Sequence, residues 1–201
     1  MKLTSTLIAL SLAIAGTQAA PTGGFPLRCT KDGLWGPGAG PRDDVGKPRN
    51  QDKTQYYMFK QVEGYKYPMM VKAPDSNVDK LAFWMCEEVP HYHSYRSGKI
   101  RAGQLRSVKD PSQCVTITGM DYRTIEEGFD PKNGHLSLRP CAKNTNDKLM
   151  ERQWFDDLTR QIRFRGSDER DVALTSIVYD GELVSMTTDG DDFLHLRGGQ
   201  D

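Results

Sequence analysis

Leu81-Ala82-Phe83-Trp84-Met85-Cys86 and Leu136-Ser137-Leu138-Arg139-Pro140-Cys141 share one frame: apolar, any residue, apolar, any two residues, cysteine. Each is followed by a polar stretch and an aromatic close, His93-Ser94-Tyr95 in the first case and Gln153-Trp154-Phe155 in the second. Segments of the type Gly-x-apolar-Arg come next: Gly98-Lys99-Ile100-Arg101 running into Gly103-Gln104-Leu105-Arg106, then Arg160-Gln161-Ile162-Arg163. Repetition at roughly 50–60 residues marks one supersecondary unit used more than once.

Outward from these stretches the chain is a series of short apolar runs between turn residues. They are Tyr56–Phe59, Tyr67–Val71, Leu81–Cys86, Lys99–Leu105, Cys114–Thr118, Leu136–Leu138, Gln153–Phe155, Gln161–Phe164, Val172–Val178, Leu183–Thr187 and Phe193–Leu196. Most alternate in polarity and many carry β-branched or aromatic residues, which is strand chemistry. Asn133-Gly134, Asp180-Gly181 and Asp189-Gly190 have the composition of hairpin turns. No segment holds a 3.6-residue apolar stripe over a helix length. A third, degenerate unit runs through Arg160–Arg163, Val172–Ile177 and Val184–Asp189 to Phe193–Leu196. A four-stranded unit of this size cannot bury its own apolar side chains, so three must share one core. The expected fold is all-β, a β-trefoil over residues 56–201.

The ends bound the rest. Residues 1–19 read as a secretory signal peptide: Lys2, an apolar stretch from Leu7 to Ala15, and Thr17-Gln18-Ala19 before the cut. The apolar run is too short to span a bilayer, so the expectation is a secreted, extracellular product with no membrane span. Residues 20–55 are rich in Gly, Pro and charge, and Gly36–Pro41 reads as unable to hold a central strand. This stretch is expected to be an irregular arm tethered at Cys29. Four cysteines in a secreted chain imply two disulfides, and sequence alone does not choose among the three pairings. The repeat frame favours Cys114–Cys141 within one unit, which leaves Cys29–Cys86 to staple the arm. No Cys/His spacing suits a structural metal, and no cofactor is implied.

Positive and negative residues balance at 27 each, which disfavours nucleic acid as a partner. The charge is unevenly spread: residues 168–201 are acidic, and 96–109 are basic with Arg96, Lys99, Arg101, Arg106 and Lys109. The basic stretch reads as a solvated strand edge, where cations discourage edge-to-edge pairing.

Gly103–Arg106, Cys114-Val115-Thr116-Ile117, Leu136–Cys141 and Gln153-Trp154-Phe155, in that order, resemble one unit of a ricin B-type lectin. The resemblance covers approximately residues 56–197, with Leu81–Cys86 placed as the third strand of the first unit. It implies a shallow sugar pocket in each unit. There, an Asp two residues after the first Cys and an aromatic ring on the third strand hold the sugar by hydroxyls and by its CH-rich face. The chain departs from this recipe: the middle unit has Thr116 at the Asp position and Arg139 at the ring position. Thr187 holds the ring position of the last unit. The sugar-binding candidates are Trp84 with Asp75 and His93, and then Asp171 with Tyr179 and Asp189.

The function expected is therefore non-catalytic binding of an extracellular or cell-wall glycan. The alternative is a trefoil scaffold that binds an extracellular protein, as a protease inhibitor or secreted effector; a secreted ribonuclease or hydrolase ranks third. Among the competing structural readings, Gln153 is expected to bond turn backbone and Phe155 to enter the core. Trp154 either faces out or covers the arm. His91, His93, His135 and His195 form no recognisable catalytic motif, although His93 could pair with Glu87 or Glu88. Asp189-Gly190-Asp191-Asp192 lacks the remaining ligands of a calcium loop.

Overall fold

A computed structural model describes residues 24–41, 55–74, 78–92, 100–118, 133–158, 161–166, 174–188 and 192–197. The signal-peptide stretch 1–19 lies outside these residues. The chain is all-β, with strands β1 (Cys29–Pro41), β2 (Gln55–Lys60), β3 (Met69–Lys72), β4 (Leu81–Cys86), β5 (Ile100–Ser107) and β6 (Gln113–Thr118). It continues with β7 (Asn133–Pro140), β8 (Phe155–Leu158), β9 (Gln161–Phe164), β10 (Ser176–Asp180), β11 (Leu183–Thr187) and β12 (Asp192–Arg197). A single turn of 3-10 helix, Met150–Arg152, is the only helical element among the described residues. No helix there is long and apolar enough to cross a membrane.

Six strands close a ring through the antiparallel pairs β1–β4, β4–β5, β5–β8, β8–β9, β9–β12 and β12–β1. The other six form the hairpins β2–β3, β6–β7 and β10–β11. The hairpins meet in a triangle: Ser137 pairs with Met69, Val71 with Leu183, and Ser185 with His135. In each of the three strands the two contact residues stand two apart: Met69 and Val71 in β3, His135 and Ser137 in β7, Leu183 and Ser185 in β11.

One core serves ring and hairpins together. Leu81, Phe83, Leu105, Phe155, Ile162, Phe164 and Leu194 enter it from the ring, and Tyr57, Met70, Val115, Ile117, Leu136, Ile177, Val184 and Met186 from the hairpins. Alternation puts Leu81 and Phe83 inside, and burying each such side chain contributes about 1.5–3 kcal/mol. A second cluster joins Leu27 and Cys29 to Cys86, Tyr92, Ala102, Ala142, Met150 and Trp154.

Two expectations are corrected here. The arm at residues 20–55 is not irregular throughout, because Cys29–Pro41 is β1 and a member of the ring. Cys29–Trp35 pairs with β4 through a bulge between Lys31 and Gly33, and Gly36–Pro41 pairs with β12. Pro37 and Pro41 are tolerated because alternate residues direct their N–H groups to opposite neighbours, so prolines four apart weaken one side only. A domain boundary at residue 55 would cut this ring.

The second correction concerns the shared frame. Leu81–Cys86 is β4, a ring strand that corresponds to β8 and β12, whereas Leu136–Cys141 follows hairpin strand β7. A period of two records which side chains are buried, and a ring strand and a hairpin strand bury them alike. A smaller difference lies at Asn133-Gly134, which opens β7 and pairs with β11 instead of forming a turn. Asp180-Gly181 does lie at a hairpin turn: Asp180 pairs with Leu183, and Gly181 has φ +61°.

Two disulfides are formed, Cys29–Cys86 between β1 and β4 and Cys114–Cys141 between β6 and the end of β7. Their sequence separations are 57 and 27 residues. Each contributes about 2–4 kcal/mol by constraining the unfolded chain.

Candidate functional site on the wall of β4 and β5

The hairpin pairings locate the sugar-pocket positions that the resemblance implies. Val71 faces Met58, Ser137 faces Thr116 and Ser185 faces Val178, so the expected Asp position is held by Met58, Thr116 and Val178. Two residues beyond Val71, Ser137 and Ser185, the expected ring position is held by Ala73, Arg139 and Thr187. Neither a carboxylate nor an aromatic ring stands at these places. The polar groups present are turned inward. Thr116 donates to the carbonyl of Cys114 at 3.1 Å and accepts from Gln153 Nε2 at 2.8 Å. Arg139 lies over the Tyr67 ring, 4.4 Å from its centroid.

Gln153 is a structural latch. Its amide donates to Thr116 and to the Pro140 carbonyl at 2.9 Å, while its oxygen accepts from the Ala142 N–H at 2.7 Å. Trp154 is fully buried over the N-terminal segment, edge-on to Tyr92, and Phe155 is in the main core.

Of the six sugar-binding candidates, Asp75, His93, Asp171 and Asp189 lie outside the described residues. Trp84 and Tyr179 are described, and they stand on different elements, the ring strand β4 and the hairpin strand β10. The Tyr179 hydroxyl shares a 2.7 Å hydrogen bond with that of Tyr57. Lys72 Nζ sits 3.8 Å from the Tyr179 ring centroid. Those contacts make Tyr179 part of the packing between hairpins.

Trp84 is different. It is partly exposed on the outer face of β4, opposite Lys31 on β1 and Gln104 on β5. The Arg106 guanidinium lies over its ring, 4.3 Å from the centroid. Arg106 also donates through Nη2 and Nε to Gln104 Oε1, at 2.7 and 3.2 Å. Gln104 is buried and is itself held by donating to the Ala142 carbonyl at 3.1 Å. The strands approach closely at this point: a Cβ on Gly103 would collide with the Trp84 carbonyl oxygen. Burial lowers the Arg106 pKa from its ordinary value, yet guanidinium stays charged at any physiological pH.

The reading of 96–109 as a solvated edge fails at Arg106, which is paired on both sides, with Ala82 of β4 and Cys114 of β6, and is half-buried. The alternation of Gln104 and Arg106 on one face of β5 was visible in the sequence. Their diagonal approach to Trp84 depended on a strand register that the sequence did not disclose.

One further constellation was absent from the sequence reading. Ser185 Oγ and His135 Nδ1 are 2.6 Å apart, and His135 Nε2 is 3.9 Å from Asp180 Oδ2. Ser185 and His135 are buried, which keeps the serine oxygen from a substrate in this conformation. Burial lowers the His135 pKa more than the Asp180 charge raises it, which favours the neutral imidazole, and the ring clasps two hairpins together. Among the described residues no group of His, Cys, Asp and Glu could hold a metal ion.

No protein-family model, curated protein or solved structure matches this chain.

Proposed function

We propose that the chain is a secreted β-trefoil that binds an extracellular glycan without chemical turnover, at the wall around Trp84 rather than in three repeated pockets. Support for the trefoil comes from the six-stranded ring, the three hairpins and the recurring two-residue step in their contacts. The observation that carries the binding reading is Trp84 itself: a partly exposed indole beside a guanidinium held rigid by Gln104. An aromatic ring with fixed polar donors beside it is the arrangement that sugars require. A glycan array probed with the oxidised protein and with Trp84→Ala tests this reading. Binding by the wild type that is lost in the variant, with an unchanged melting temperature, is the expected result. Loss of binding by neither protein would move the site elsewhere.

A second reading, a scaffold that meets a protein partner through its loops, is favoured by Met58, Thr116 and Val178 together with Ala73, Arg139 and Thr187. They leave the hairpins without sugar-binding chemistry. A blank array at high, multivalent display would leave this second reading standing.

A further inference from the structure

We infer that the Trp84 wall takes an acidic glycan, with Arg106 and Lys31 reading carboxylate or sulfate groups on either side of the indole. The inference rests on the glycan reading and adds the class of sugar.

The first ground is that Arg106 is a half-buried cation with no acidic partner among the described residues. Its contacts are the Gln104 oxygen and the Trp84 ring, and neither carries a charge. Removing a charge from water without a counter-ion is unfavourable, and a neutral side chain would pack on this wall without that cost. An anion supplied by a ligand relieves it.

The second ground is the donor arrangement. A guanidinium has five N–H groups in a fixed plane. Gln104 engages those on the Nε side, which leaves the Nη1–Nη2 edge for a bidentate oxyanion. The plane is held from two directions, by the indole face and by the chain of hydrogen bonds from Gln104 to Ala142. Little side-chain entropy is therefore left to lose on binding.

The third ground is the surrounding charge. Along the strands the rows read Lys31, Trp84, Gln104 and then Ala82, Arg106, Cys114. None of these is acidic, and Lys31 is exposed directly opposite Trp84. Cross-strand neighbours stand about 5 Å apart at Cβ, so the two cations bracket one ring at a spacing suited to neighbouring sugar residues. The small extent of the feature favours a saccharide over a protein acid. One indole and two cations fall far short of the roughly 800 Å² per partner that a stable protein interface uses.

The test is calorimetric titration of the oxidised protein with three probes: tetragalacturonate, its methyl ester, and a sulfated oligosaccharide of similar length. The expected result is binding of at least one acidic probe and at least about tenfold weaker binding of the ester. Arg106→Gln should lose about tenfold in affinity for the acidic probe, and Arg106→Lys should lose less, because it keeps the charge but not the planar fork. Lys31→Gln, at an exposed position, should lose about twofold to threefold with an unchanged melting temperature, and raised salt should weaken wild-type binding. A preference for the sulfated probe identifies sulfate as the anion and supports the inference. Equal affinity for the acid and its ester, or salt-independent binding, overturns it while leaving the glycan reading intact. Binding of none of the probes, with none on a broad neutral array, overturns both.

Discussion

The triangle of hairpins and the wall of β4 and β5 use polar residues in opposite ways. In the triangle three polar side chains are turned to partners inside the molecule: Thr116 to Gln153, Ser185 to His135, Tyr179 to Tyr57. On the wall, Arg106 is fixed just as firmly, but its charge has no acidic partner among the described residues. The lesson is that a polar residue near a repeat position is not evidence of a site until its partners are known. Hydrogen-bond donors that face inward hold the fold, and the open guanidinium edge on the wall is where the proposed ligand binds.

The sharpest way to break this comparison is at Gln153. Gln153→Ala removes bonds to the Ala142 N–H, the Thr116 hydroxyl and the Pro140 carbonyl, all in a buried setting. Each buried group left unsatisfied costs about 1–3 kcal/mol, so equilibrium denaturation should show a loss of about 4 kcal/mol. A loss below about 1 kcal/mol would remove Gln153 from the role of latch.

Next in size is Gly103→Ala, which drives a Cβ into the Trp84 carbonyl. The obstacle is backbone and cannot rotate away, so the expected cost is about 3 kcal/mol with a changed Trp84 fluorescence spectrum. A neutral result would mean that β4 and β5 are not so close at this point.

A smaller effect tests the triangle through pH. The folded-state pKa of His135 is lowered by burial, so the unfolded chain binds the proton more readily. Stability should therefore fall as pH drops below the unfolded histidine value of about 6.5, and level off below the folded value. His135→Asn should flatten that slope between pH 7 and 5 in urea melts. An unchanged slope would assign the pH dependence to groups other than His135.

Smallest of all is Arg139→Gln, which removes the cation from the Tyr67 ring. An expected loss of about 0.5–1 kcal/mol in stability, with no change in glycan affinity, separates this pair from the Trp84–Arg106 pair. Equal effects of Arg139→Gln and Arg106→Gln on binding would abolish the distinction between the two regions.

The sequence disclosed the strands wherever alternation was plain. Leu81–Cys86, Gln161–Phe164 and Leu183–Thr187 are strands at the expected residues, and the runs between them overlap the others from β2 onward. β1 was hidden because its pairing comes from three different strands, while its own Gly and Pro residues carry the local signal of a loop. The unit assignment of Leu81–Cys86 was hidden for a related reason: burial period is a local property and position in a ring is not. Gln153 was legible as a structural residue because its neighbour Phe155 had to enter the core. Trp84 was legible as a candidate from its residue type and strand, although its expected partners Asp75 and His93 lie outside the described residues. Arg106 was legible only as a charge, since its role follows from a diagonal contact across two strands.

The central claim is that a ligand meets the wall and not the hairpins. Amide and indole chemical shifts followed by NMR during titration with an acidic oligosaccharide test it most directly. The account predicts shifts concentrated at the Trp84 indole, Lys31, Gly103 and Arg106, with Met58, Thr116 and Val178 unmoved. Shifts confined to Met58, Thr116, Val178, Ala73, Arg139 and Thr187, with a silent Trp84, would contradict it and return the site to the hairpins.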